Sequence, residues 1–427
     1  MGSVRPAGRG RFSPFAAFQP NARLLIAAVF LDGMAVSFFQ LFFNFFILAK
    51  GFGIGFLGLA NSMAAVAALA LGVFLGRFSD RVGFRVSMPL GIAVAYSALV
   101  VALQTSSPAV LLGAMALQGA GGMLFYLGES PFLMKHSGPR ERSLLFSVNV
   151  GMQILSGAAG SLIAGQLPAG LQSLWNIPPG SALSYQIILL AGTFCGLLAL
   201  VPLLLARASP PAEVPPAPER PESAAWTREE KLSILRMVTP NFMIGCGAAL
   251  LIPYLNLFFR QRFSVPDSLL GGMFSLSAVI TGLATLGSPW LASRLGSKIR
   301  TVMATQAGSL LFLLILGFSP SFAPAGIAFF FRAGLMNMSV PLYAAFCMER
   351  TPEARRGVVS SLIQMAWQAG WAVGPSVSGF VQDRWGFTPL FVATSVFYAA
   401  AILALWRFFL PMEKDHPAAT AAADNLS

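Results

Sequence analysis

Twelve apolar runs, six on either side of one proline-rich polar stretch, constrain this chain more than any other feature. They fall near residues 22–48, 54–75, 86–104, 109–134, 145–168, 182–205, 235–259, 266–292, 301–318, 323–348, 357–381 and 387–410. A helix of about 20 apolar residues crosses the hydrocarbon core of a bilayer. Inside that core only helices and closed barrels satisfy their own backbone hydrogen bonds. The runs therefore predict an all-α integral membrane fold of 12 transmembrane helices in two pseudo-symmetric six-helix bundles. Composition agrees, with 56% of residues hydrophobic and 10% charged, where a soluble domain carries about 25% charged residues.

The expected organisation is an N-terminal segment 1–21, a first bundle 22–205, a linker 206–234, a second bundle 235–410 and a disordered tail 411–427. The prolines from Pro210 to Pro221 predict an extended linker over 206–233. A net charge of +12 would suggest nucleic-acid binding in a soluble chain. Here it has a simpler origin, and no nucleic-acid partner is expected. Place both termini in the cytoplasm, and only Lys50, Arg260, Arg262, Arg384 and the intramembrane Arg332 lie elsewhere than the cytoplasmic face. That bias is the positive-inside pattern. Arg5, Arg9 and Arg11 ahead of an apolar run resemble a signal peptide, but the run is too long and lacks a small-residue cleavage site, so it reads as a retained first helix. Arginine far outnumbers lysine, which fits a GC-rich bacterial genome and hence a bacterial inner membrane.

The halves echo each other. Ser79-Asp80-Arg81-Val82-Gly83-Phe84-Arg85 follows the second run, and Ser293-Arg294-Leu295-Gly296-Ser297-Lys298 follows the eighth. Arg142 and Arg356 are 214 residues apart, and Arg81 and Arg294 are 213 apart. One offset at two separate loops indicates an internal duplication.

At these loops the chain resembles the major facilitator superfamily, over residues 22–410 or so, and within it the bacterial drug-efflux branch. Gly76, Asp80, Arg81, Gly83 and Arg85 match the family's loop signature between helices 2 and 3. The resemblance implies cytoplasmic gate contacts for these residues, steadying the outward-open state. It implies the same kind of role for Arg142, and a charge relay from Glu349 to Arg356 beside helix 10. Gly374-Pro375 with Gly379 resembles the family's helix 11 bend. Departures run the other way: Ser293 replaces the aspartate in the second loop copy. Met115 stands where drug–proton antiporters carry an arginine, and Ser156-Gly157-Ala158-Ala159-Gly160 lacks the proline of their helix 5 motif. The family's usual form is a monomer.

Charge at bilayer depth costs about 2.5–3.5 kcal/mol on insertion scales, which marks such residues as functional candidates. Asp32 lies about nine residues into the first run, roughly 13 Å deep at helical rise. A carboxylate there can exchange its charge for a proton, or serve as a structural hydrogen-bond acceptor. Glu129 is open to two readings. It is a second proton-coupling carboxylate in the cavity, or a gate residue paired with Arg81, Arg140 or Arg142, as the Tyr126-x-x-Glu129 pattern of the family implies. Arg332, the intramembrane cation, can hold an anionic substrate or neutralise a carboxylate; the 214-residue offset sets it opposite Gln118, with both facing the central cavity.

Polar stripes supply further substrate-binding candidates. Asn149, Gln153, Ser156 and Gly160 share one face of the fifth helix, and Gln364, Trp367, Gln368, Trp371 and Pro375 mark the eleventh. Gln40 and Asn44 sit together on the first, Asn241 and Asn256 on the seventh. Each stripe fits either a cavity lining or interhelical hydrogen bonds. The phenylalanines crowding helix 1, Phe38 to Phe46, are expected mainly against lipid or other helices.

Three cysteines within spans offer neither a disulfide framework nor metal spacing, and no cofactor is expected. No phosphate-binding Gly-rich loop supports ATP coupling, and the histidines, His136 and His416, lie outside the spans, so no enzyme is expected. The leading expectation is alternating-access, proton-coupled export of a small amphipathic or drug-like organic solute. The alternative is uptake of a polar or anionic metabolite by symport or facilitated diffusion. A non-transporting receptor or scaffold lacks the exposed partner-binding domain it would need.

Overall fold

The structure, a computed structural model, describes residues 18–138, 141–206 and 226–414. Its helices are α1 (Pro20–Ala49), α2 (Ile54–Val82), α3 (Phe84–Gln104), α4 (Pro108–Lys135), α5 (Arg142–Trp175) and α6 (Ala182–Leu205). After the linker come α7 (Arg228–Phe263), α8 (Asp267–Leu295), α9 (Lys298–Phe318), α10 (Phe322–Glu349), α11 (Arg356–Trp385) and α12 (Thr388–Lys414). Among the described residues, 11 helices are long and apolar enough to cross a bilayer. The exception is α11, predicted as an apolar run. Its Gln364 and Gln368 lower its hydropathy, yet its 30 residues pack along α2 and α7 at the same depth.

Several helices outrun their apolar cores, and two expectations change as a result. The linker was expected extended to residue 233, but α7 begins at Arg228. Thr227 caps it, its hydroxyl accepting from Glu230 N while the Glu230 carboxylate accepts from Thr227 N. This reciprocal box, T-x-x-E in sequence, nucleates a polar first turn well before the apolar run starts. The tail was expected to be disordered from residue 411, but α12 continues through Lys414. Residues 207–225 and 415–427 lie outside the described residues.

Lipid tails give helices no hydrophobic reason to associate, so close packing and buried polar bonds must hold the assembly. In the first group α1 packs on α5 and α6, α4 on α2 and α3, and α3 on α6. In the second, α7 packs on α11 and α12, α10 on α8 and α9, and α9 on α12. The two patterns match helix for helix, as a duplication requires. The aromatic load of α1 goes inward rather than to lipid: Phe42, Phe43 and Phe46 are fully buried, and Phe42 and Phe45 stack on Tyr185 of α6.

The groups meet along two seams, α2 against α11 and α5 against α8. Both close on glycine. A Cβ on Gly165 would lie 2.7 Å from Gly271 Cα, and one on Gly379 would lie 2.9 Å from Gly58 Cα. Gly165 and Gly379 are 214 residues apart and Gly58 and Gly271 are 213 apart, the offset of the loop repeats, so the seams are one contact made twice. Hydrogen bonds between the groups fall on the same side: Asn44 Nδ2 donates to Asn256 Oδ1 (2.8 Å), and Ser376 Oγ bonds Ser62 Oγ (2.8 Å). This side is the face opposite the linker. On the linker-side halves of these helices, a Cβ on Gly76, Gly151 or Gly357 would meet nothing within 4 Å.

Candidate functional site

Two adjoining cavities share part of their walls, the smaller lined by both groups and the larger by the second group alone. The smaller, about 300 Å³, is lined by residues that include Phe39, Gln40, Phe43, Asn61, Tyr96 and Gln118. The larger, about 490 Å³, is lined by residues that include Asn241, Gln306, Arg332, Trp367 and Tyr398. Ile252 and Trp371 line both. Ile252 opens a single 3-10 turn, Ile252–Tyr254, that interrupts α7. Pro253 has no N–H to continue the helical ladder. Asn44 Nδ2 donates to its carbonyl oxygen (2.6 Å). A broken helix at a cavity wall is tolerated because its freed backbone groups find partners there.

The acidic candidates sit in the first group. Asp32 of α1 accepts a hydrogen bond at Oδ1 from the Tyr96 hydroxyl of α3 (2.7 Å). Glu129 of α4 is buried, and its Oε1 accepts from Asn149 Nδ2 (2.5 Å) and Gln153 Nε2 (2.8 Å) of α5. Among the described residues neither carboxylate meets a cation; Arg140 lies outside them. Arg142 turns instead to Ser137, with Nε donating to Oγ at 3.3 Å.

The cation sits in the second group. Arg332 of α10 is 6% exposed and lines the larger cavity together with Tyr398 of α12. No described carboxylate pairs with it, and its Nε lacks a protein acceptor. Gln306 Oε1 and Trp371 Nε1, on the same cavity, are also buried without protein partners.

The stripes read from sequence divide between lining and bracing. Gln40, Gln118, Gln364, Trp367 and Trp371 line cavities. Asn241 does both, donating to Ile363 O (3.0 Å). Asn44 and Asn256 line the smaller cavity but spend their amides joining α1 to α7. Asn149 and Gln153 serve Glu129. Gln368 and Tyr126 line neither cavity, and Tyr126 is exposed. Tyr96, Tyr398, Asn61 and Gln306 were not among the candidates. A tyrosine buried at bilayer depth needs a hydroxyl partner, and the chain has only six tyrosines. That signal was available in the sequence for Tyr96 and Tyr398.

At the linker face, Gly83 joins α2 to α3 at φ +79°, a backbone setting that favours glycine. Asp80, Arg81 and Arg85 beside it are exposed, and among the described residues none is in an ion pair. Glu349 pairs with Lys298, while Arg356 Nε donates to Met348 O (3.1 Å) and Thr351 O (3.3 Å) at the end of α10.

A sequence model of the Major Facilitator Superfamily matches residues 25–375 and again 241–426. The chain belongs to the major facilitator superfamily. It is 23% identical over 362 residues to sugar efflux transporter A of Dickeya chrysanthemi, an alignment spanning 82% of this chain and 86% of that one. It is 26% identical over 183 residues to the multidrug resistance protein MdtG of Salmonella paratyphi B, spanning 40% of this chain and less than half of MdtG, 44%. The fold matches a bacterial homologue of the human lysosomal transporter Spinster, solved inward-facing and unoccupied, at a TM-score of 0.74 and 14% identity, covering 94% of this chain and 99% of that one. Within this superfamily the protein is a multi-pass membrane transporter, and two six-helix groups around a central cavity are the arrangement its fold provides.

Proposed function

We propose that this protein is a proton-coupled exporter of small amphipathic organic solutes, working by alternating access. The positive-inside bias supports a cytoplasmic linker face, and the glycine seams then close the outer side. One observation carries the coupling: among the described residues Asp32 and Glu129, both on membrane-spanning helices, accept hydrogen bonds from neutral donors and meet no cation. A carboxylate at bilayer depth without a counter-cation is a candidate proton-exchange site. Proton binding and release there would bias which seam set is closed. In the outward-open form Asp80, Arg81 and Arg85 would find partners across the cytoplasmic face; in the present form none of them is in an ion pair among the described residues, which suits an open cytoplasmic side. The sugar and multidrug efflux proteins among the relatives support the export direction, and the Phe- and Trp-rich cavity walls support an amphipathic cargo.

Inside-out vesicles carrying an imposed proton gradient and a pH-sensitive dye test this reading. Cationic, neutral and anionic aromatic compounds are added to wild type and to Asp32→Asn. At least one class dissipates the gradient through wild type, and the response falls at least tenfold in Asp32→Asn. Solute equilibration without proton movement, in wild type and variant alike, would replace the exporter with facilitated diffusion. The unpaired Arg332 favours that second reading only for an anionic metabolite.

A further inference from the structure

Three residues that line the larger cavity each carry a buried polar atom without a protein partner: Arg332 Nε, Trp371 Nε1 and Gln306 Oε1. An unpaired guanidinium is expensive to hold out of water, because it keeps its charge under all physiological conditions. Nothing in the packing of α10 obliges it. Ser309 Oγ already bonds the Arg332 carbonyl (3.0 Å), so the backbone there is braced without the side chain. Arg332 and Tyr398 both line the cavity, and the Arg332 Nε is left without a protein partner.

The rest of the wall describes the body of the missing partner. Trp367 and Trp371 sit one helical turn apart on α11, ring centroids 6.3 Å apart and planes inclined at 37°. Two indoles in that relation touch each other and together give the wall an aromatic surface on which a flat ring can stack. Met336 and Met348 complete the apolar wall. Their flexible thioethers suit cargo of varied outline. At about 490 Å³ the cavity falls in the size class that encloses a drug-sized molecule. The fixed charge is a single positive one, which matches a monoanion and would leave a phosphate dianion half compensated.

We infer that the larger cavity is a binding site for aromatic carboxylates, with Arg332 holding the carboxylate and the Trp367–Trp371 wall stacking on the ring. The inference names the solute class for the exporter proposed above and rests on the cavity being the solute's route. The carboxylate forms a charge-assisted hydrogen bond with the guanidinium. Gln306 Oε1 accepts from any hydroxyl or amine on the ring, which favours hydroxylated or aminated members of the class.

The test uses the full chain purified in detergent, with binding read both as the ligand-induced rise in melting temperature and as quenching of tryptophan fluorescence. The probes are 2-naphthoate, its neutral amide and the corresponding naphthylmethylammonium cation. Wild type should prefer naphthoate over the amide by at least tenfold and show no response to the cation. Arg332→Gln should erase the preference for naphthoate, and its ligand-free melting temperature should equal or exceed that of wild type, since it removes an unpaired buried charge. Arg332→Lys, which keeps the charge, should retain part of the preference and serves if the glutamine variant does not fold. Equal binding of naphthoate and amide by wild type overturns the inference, as does an anion preference that survives Arg332→Gln. The two proposals fail separately. Naphthoate binding without proton movement in vesicles leaves the site standing and removes the coupling. Proton movement driven by cations, with no naphthoate binding, does the reverse.

Discussion

Glu129 places two amide donors on one carboxylate oxygen, so two substitutions at that residue separate its structural and functional roles. Glutamine keeps an acceptor oxygen for Asn149 and Gln153 but carries no proton. Glu129→Gln should therefore hold thermal stability within about 1 kcal/mol of wild type, while coupled proton uptake falls. Glu129→Ala strands both amides, each at about 1–3 kcal/mol, and should lower the melting temperature measurably in the same detergent assay. His136, just past the end of α4, adds a pH dependence. Burial pushes its imidazole below the ordinary value, with Lys135 adding to the shift and the bond from Nδ1 to Phe132 O (2.9 Å) opposing it. The unfolded chain then binds the proton more readily, so the contribution is complete above pH of about 6.5 and declines as pH falls toward the lower folded value. Wild type should lose more melting temperature between pH 7.5 and 5.5 than His136→Asn does. At this scale the sequence was only partly legible. Asp32, Glu129 and Arg332 stand out because charge is rare at bilayer depth. Tyr96 and Tyr398 were legible only as scarce buried tyrosines, because which group each hydroxyl meets depends on which helices pack together.

The glycine seams belong to the scale of elements. With Cα and backbone oxygen under 3 Å from a would-be Cβ, α5 and α8 cannot approach as they do with any side chain at Gly165 or Gly271. Gly165→Val should wedge the outer seam and shift the population toward the outward-open form; Gly379→Val, its duplicate, should act in the same direction. Spin labels on Ser107→Cys and Asp383→Cys, in a background lacking Cys195, Cys246 and Cys347, report the outer separation. The distance distribution should move to longer values in both variants. Unchanged distances would mean that the seams do not set the closed state. Helix positions were legible from apolar length, and the α7 start was legible too, in the Thr227–Glu230 capping pattern. The 3-10 turn at Pro253 was hinted at only by the proline. The seam glycines were hidden among 42 glycines, since only a packed neighbour distinguishes a close crossing from an idle one. The polarity of α11, by contrast, was visible in Gln364 and Gln368 and marks the helix that borders the larger cavity.

For the whole molecule, the repeat offset in two short loops already announced a duplicated architecture, and the matching helix contacts and the paired seams follow from it. What the duplication did not announce is how unequally the copies have diverged. Among the described residues, the first group holds Asp32 and Glu129 with neutral donors, and the second holds Arg332 without a carboxylate partner. That separation has an electrical consequence. An exporter that sends out one monoanion for each proton it admits transfers two positive charge equivalents inward per cycle. Each is worth about 2.3 kcal/mol per 100 mV of membrane voltage. Together they supply about 4.6 kcal/mol, enough for a concentration ratio of a little over three decades. The division of fixed charge between the two copies thus lets such a carrier run on voltage alone, in a cell whose cytoplasm and surroundings share one pH.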